Sequence, residues 1–169
     1  MLRMTGCRLD KLTSLSLGAV FDVTCADEKP DSASIIALND PARTEEMFAD
    51  RMPGVTHVNN CGRPMPVLRV LQTSHCDFNC KYCGFRRDID RPRESLEPDE
   101  LASTTVNMTR AGIIEGLFLS SGIGGNVRET MTKMIDTARM LREKHFYTGY
   151  LHLKILPGAP IDLIEYAGR

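Results

Sequence analysis

From Pro66 onward the chain keeps a regular beat of apolar positions. Val67–Thr73 (VLRVLQT) is a β-branched and leucine-rich run of strand length. Pro98–Ala111 reads as a helix, with proline at an early position, Asp99 and Glu100 in the first turn, and Leu101, Thr105 and Met108 at helical spacing before Gly112. Gly116–Ser121 (GLFLSS) predicts a second strand, which runs into a glycine-rich turn at Gly122, Gly124 and Gly125. Asn126 and Glu129 form a capping box for a helix that shows Met131, Met134, Ile135, Ala138 and Leu141 on one face and ends near Lys144. Tyr150–Leu156 (YLHLKIL) is a third strand, Pro157–Pro160 a turn, and Ile161–Ala167 the start of a last helix.

Strands alternating with helices of this length pair in parallel through right-handed crossovers. An eight-unit barrel averages roughly 250 residues, so the stretch from 67 to 168 supplies about three units. The expected fold is α/β: a partial parallel (β/α) barrel of about three βα units, either a piece of a larger barrel or a shortened relative that needs a partner. A small open sandwich, with the N-terminal segment covering the sheet, is the alternative. Upstream the pattern is weaker. Lys11–Cys25 holds a short helix, Asp27–Ser34 is a polar linker, Thr44–Met52 is a brief helix and Pro53–Pro66 is loop-like. The division is an N-terminal extension over 1–66, partly helical and loop-rich, and a core over 67–169.

The 169 residues are 42% apolar and 25% charged, an ordinary globular balance that excludes disorder, collagen and coiled coil. Twenty-one Lys and Arg against 22 Asp and Glu leave a net charge of −1, so there is no global field to gather nucleic acid or anionic lipid, and any such binding needs a local patch. The longest strictly apolar run, Ile35–Leu38, is far short of the ~20 residues of a membrane span, so no membrane partner is expected. Met1–Ala26 begins like a signal peptide, with Arg3, Arg8 and Lys11 before Leu12–Val20. Asp10, Thr13, Ser14 and Ser16 interrupt it, and Phe21 and Asp22 stand where small residues should mark cleavage. The expected location is cytoplasmic, where six cysteines face a reducing medium and serve metal or chemistry in preference to bridges.

Cys7, Cys25 and Cys61 stand apart, but Cys76, Cys80 and Cys83 fall on one loop after the first core strand, at the spacing C-x3-C-x2-C. A four-iron cluster ordinarily takes four thiolates, so three would leave one iron open to a ligand that can be transformed. Structural zinc sites favour paired C-x2-C elements and a closed set of four, here with His75 or a distant cysteine as the fourth. Bacterial electron carriers show C-x2-C-x2-C and a fourth cysteine. Neither spacing is matched.

The loop, with Tyr82 just before its last cysteine and a strand just ahead of it, resembles the signature of the radical S-adenosylmethionine superfamily. VLRVLQTSHCDFNCKYC, EGLFLSSGI and GYLHLKILPGA, with KLTSLSLGAVFDVTCA upstream, are similar to one family within it, described as DNA modification or repair proteins associated with uracil-DNA-glycosylase-like partners. The resemblance is firm from Pro66 to Gly168; members are longer, so Arg169 reads as a truncation after the third βα unit, N-terminal half of the barrel.

The resemblance implies a [4Fe-4S] cluster on Cys76, Cys80 and Cys83, with S-adenosyl-L-methionine on the open iron, and reductive cleavage to methionine and a 5′-deoxyadenosyl radical that abstracts hydrogen from substrate, a nucleic acid or nucleobase. It places Tyr82 against the adenine. It puts Ser120, Ser121 and Gly122 where many members carry a Gly-Gly-Glu-type motif for the methionine amino group; with no glutamate here, backbone carbonyls or serine hydroxyls must accept those bonds. Gly124–Arg128 departs from the usual loop. An electron donor such as a flavodoxin or ferredoxin is the implied partner. The alternative is a noncatalytic iron-sulfur or zinc-binding fragment.

Other features have plainer readings. On the third strand, alternation sets Leu151, Leu153 and Ile155 on one face and His152 and Lys154 on the other, toward a barrel lumen or toward solvent. Lys81, Arg86, Arg87, Arg91 and Arg93 crowd the segment after the cysteines and could hold phosphate, but Asp88, Asp90 and Glu94 dilute them and a solvated loop is the simpler reading. The glycine-rich turn could cradle an anion or be only a turn. Cys25 and Cys61 could bind an auxiliary metal or be ordinary free thiols; His57 and His145 read as surface residues.

Overall fold

A computed structural model describes residues 9–19 and 54–168. The expected linker at 27–34, the helix at 44–52, and Cys7 and Cys25 lie outside the described residues. Helix α1 (Leu9–Gly18) buries Leu12 and Leu15 and packs on the sheet at β2. The chain then builds β1 (Val55–Asn60), β2 (Arg63–Leu71), α2 (Pro98–Arg110), β3 (Gly116–Ser120), α3 (Val127–Arg139), β4 (Tyr150–Leu153) and α4 (Ile161–Ala167).

The four strands form one mixed sheet in the order β1-β2-β3-β4. β2, β3 and β4 run parallel, joined by α2 and α3, as the alternating pattern predicts. β1 is a departure from the loop expected over 53–66: it pairs antiparallel with β2, which itself begins at Arg63 and not at Val67. The hairpin turns on Cys61 and Gly62, both at positive φ (52° and 85°), the handedness that matches strand twist, and the Asn59 side chain accepts the Gly62 N–H at 2.7 Å. Pro64 and Pro66 are the residues that hid the start of β2, since proline inside a run normally argues against a strand.

Every residue of β3 is buried, as a central parallel strand requires. Leu68, Val70, Leu117 and Leu119 meet Leu101, Met108, Met131, Met134 and Leu141 in the main core, and Leu151 and Leu153 pack against it from β4. The opposite face carries a small cluster of Met65, Val67 and Phe118. Glu97 N–H bonds the Glu100 carboxylate at 3.4 Å at the start of α2, and Asn126 Oδ1 accepts from Arg128 N–H at 2.8 Å to cap α3. The helix expected to reach Lys144 is α only to Arg139; Met140–Lys144 is one π turn, closed by His145 N–H on the Met140 carbonyl. β4 stops at Leu153, three residues short of the expected strand, and its outer edge is unpaired among the described residues. Among them, no helix is long and apolar enough to cross a membrane.

Candidate functional site: the cysteine loop and its cavity

β2 delivers the loop, and its neck is zipped shut. Leu96 N–H bonds the Gln72 carbonyl at 2.8 Å, Ser74 N–H bonds the Glu94 carbonyl at 2.9 Å, and Thr73 bridges Ser95 in antiparallel fashion. Gln72 is wholly buried: its amide donates to the Leu96 carbonyl and accepts from the Thr137 hydroxyl of α3 at 2.8 Å, so strand, return segment and helix meet at one side chain.

The glycine-rich turn after β3 is stitched to the same loop. Asp77 N–H bonds the Ile123 carbonyl at 2.8 Å, Gly122 N–H bonds the Thr73 carbonyl at 2.7 Å, and the Asp77 carboxylate accepts from Gly125 N–H. Gly122 has to be glycine, because a Cβ there would stand 2.3 Å from the His75 carbonyl oxygen. The anion cradle considered for this turn is thus already occupied in part by Asp77.

These contacts frame a cavity of about 190 Å³ at the C-terminal ends of β2, β3 and β4. Cys76, Cys80 and Cys83, all half-buried, line it together with Tyr82, Ser120, Ser121 and Gly122, so the seven residues singled out from the sequence are brought to one place. Within the loop, Cys83 N–H bonds the Cys80 carbonyl at 3.0 Å and Phe85 N–H points at Cys83 Sγ at 3.4 Å. Tyr82 stands at the mouth, 87% exposed; charge on Cys80, its hydrogen bond to that thiol, and to a lesser extent slight burial and Cys83 hold its phenol above the ordinary value. The Ser121 hydroxyl is buried without a hydrogen-bond partner, although it borders the cavity.

Sequence reasoning left Leu71, Phe85 and Gly18 out of the site. Gly18, at the end of α1, lies so close to Leu71 and Phe85 that a Cβ would meet them at 2.8 and 2.7 Å. Lys154, at the end of β4, lines the cavity, and burial pushes its ammonium below the ordinary lysine range. His152 lies on the sheet face away from the main core, stacked on Phe118 at 4.5 Å, with Arg69 5.0 Å over the same ring. His75 lines a different cavity with Ser95, Glu129 and Lys133, so it does not complete a ligand set with the three thiols. Cys61 sits in the hairpin turn at the far end of β2, about 30 Å of strand from the loop.

Among the described residues, no three His, Cys, Asp or Glu side chains converge on a point where an ion could be held. The three thiols nevertheless line one cavity, with the buried, unpartnered Ser121 hydroxyl at its border, a sulfur and oxygen donor set of the kind that could hold a cluster and a polar ligand beside it.

No family model matches the chain, and no solved structure matches it. A stretch of 47 residues, 27% of the chain, is 45% identical to the 7,8-didemethyl-8-hydroxy-5-deazariboflavin synthase of Methanosarcina mazei, of which it covers 14%. That synthase is a radical S-adenosylmethionine enzyme, and over this short stretch the similarity suggests the same superfamily. It carries nothing specific to DNA modification or repair.

Proposed function

We propose that the chain is the cluster-bearing part of a radical S-adenosylmethionine enzyme, its core over 67–169 forming the N-terminal half of a partial (β/α) barrel behind an extension over 1–66. The observation that carries this is the single cavity shared by Cys76, Cys80, Cys83, Tyr82 and Ser120–Gly122 at the ends of parallel strands. When bound, a [4Fe-4S] cluster supplies the electron that splits S-adenosylmethionine into methionine and a 5′-deoxyadenosyl radical.

This chain's residues hold and orient. The three thiolates would bind the cluster, Ser121 Oγ and the strand-end carbonyls would accept from the methionine amino group, the Lys154 ammonium would pair with its carboxylate and Tyr82 would cover the adenine, all from the lining of one cavity. Phe78, Phe85, Ile123 and Leu156 give the cavity apolar walls. A nucleic acid or nucleobase as substrate, a uracil-DNA-glycosylase-like associate and a flavodoxin or ferredoxin as electron donor rest on the family resemblance alone.

Anaerobic reconstitution tests the reading. The expected result is a brown protein holding close to four irons per chain, whose reduced magnetic-resonance signal changes on adding S-adenosylmethionine and which yields 5′-deoxyadenosine. Colourless protein with tightly held zinc, or a cluster indifferent to S-adenosylmethionine, overturns it.

A further inference from the structure

Arg93 was grouped by sequence with a crowd of basic residues after the cysteines, but its side chain turns inward. One guanidinium nitrogen donates to the Ser74 and Phe85 carbonyls, both at 2.7 Å, and the other to those of Arg86 at 3.0 Å and Ile89 at 2.9 Å. Ser74 lies just before Cys76, and Phe85 just after Cys83, so one cation grips the loop at its entry and its exit. Its bonds are charge-assisted and directed by a rigid fork, so they hold a shape as well as a charge. With the guanidinium committed to four carbonyls, phosphate capture is a poor account of this residue.

Phe85 links this grip to the site. Its carbonyl takes the Arg93 bond, its N–H points at Cys83 Sγ, and its ring lines the cavity, with the Arg91 and Arg93 guanidinium carbons 4.8 and 5.7 Å from the ring centroid. Many metal sites assemble only as the metal arrives. Here the fastening is made by an arginine and by the zipped neck, and it engages no cysteine side chain.

We propose that Arg93 is the positioning residue of the cysteine loop, shaping the cavity before any cluster enters and fixing the Phe85 N–H that donates to Cys83. The proposal builds on the cluster reading, but its first part concerns the metal-free chain alone. Two consequences follow from the bonds. Without the guanidinium fork, residues 84–94 lose their internal anchor and their amides open to solvent. In the reconstituted protein a weakened N–H···S bond and a lost positive charge both disfavour the more negative, reduced cluster.

The experiment compares the full chain with Arg93→Gln, Arg93→Lys and the control Arg87→Gln, an exposed arginine of the same loop. Hydrogen exchange of the metal-free proteins is the first readout. Arg93→Gln should speed exchange across 84–94 by about tenfold or more, since several charged hydrogen bonds are lost, and Arg87→Gln should not. If circular dichroism shows Arg93→Gln unfolded, Arg93→Lys replaces it, keeping the charge and losing the fork. The second readout is the midpoint potential after anaerobic reconstitution, expected to move to more negative values in Arg93→Gln. Exchange over 84–94 unchanged in the folded variant overturns the proposal. Faster exchange in a protein whose wild type takes up no iron leaves Arg93 as the loop's clamp and overturns the cluster reading instead. A potential identical to wild type removes the coupling through Phe85.

Discussion

Gly122 shows how far one side chain decides the site. Adding a methyl group drives it to within 2.3 Å of the His75 main-chain carbonyl oxygen, so the loop has to give way. Gly122→Ala should destabilise the chain by about 1–3 kcal/mol, the usual range for overpacking, as measured by urea denaturation, with loss of iron uptake in parallel. Ser121 is the opposite case. Its hydroxyl is buried and unpartnered, so Ser121→Ala should leave stability nearly unchanged while weakening S-adenosylmethionine binding about tenfold by titration calorimetry, the worth of one hydrogen bond. Lys154 gives a pH signature. Burial holds its pKa below that of the unfolded chain, so between the two values the unfolded state binds more protons and stability rises as pH rises through that window. Chemical denaturation of the metal-free chain across alkaline pH should show this rise, and Lys154→Met should remove it. The cysteines were legible at this scale because chemistry fixes their spacing. Arg93 was not, because nothing in a run of basic residues says which one turns inward.

At the scale of elements, local rules carried α2, β3, α3 and α4 well. Proline at the start, acids in the first turn and Asn126 as a cap act within a few residues, and sequence shows them directly. β1 and the start of β2 were hidden for a reason of the same kind: the polar run VTHVNN and, in β2, Pro64 and Pro66 look like a loop, and only their pairing makes strands of them. The π turn after α3 was equally hidden, because a bulged helix keeps nearly the same apolar spacing. Gln72 also reads as an ordinary polar residue at a strand end, yet it joins three elements from a fully buried position. Gln72→Ala should therefore cost about 2–4 kcal/mol in urea denaturation, combining a small cavity with main-chain groups stripped of a partner. An effect near zero would mean that α3 and the loop neck are joined chiefly by their apolar contacts.

For the whole molecule, the open question is what the far side of β4 meets. The sheet ends at β1 on one side and, on the other, at a four-residue strand, each with no further partner among the described residues. Beside it, Ile135, Leu151, Leu153, Ile155, Ile164 and Ala167 line a groove of about 820 Å³, with Arg139 and Glu143 at its polar rim. Ile161 and Tyr166 of α4 are likewise substantially exposed. Alternating periodicity revealed the apolar face of β4, but periodicity cannot say whether a face is covered. Water tolerates isolated apolar residues; a continuous patch beside an unpaired strand edge is a liability. A net charge of −1 adds little repulsion between copies. The 169-residue chain should therefore bind a hydrophobic dye and self-associate as its concentration rises. Ile155→Lys places a charge at an exposed position of the groove, just past β4, and should reduce both effects in light scattering and dye fluorescence. Dye binding unaltered by that change would mean that the adhesive surface lies elsewhere, and that β4 is not the edge at which this sheet is left incomplete.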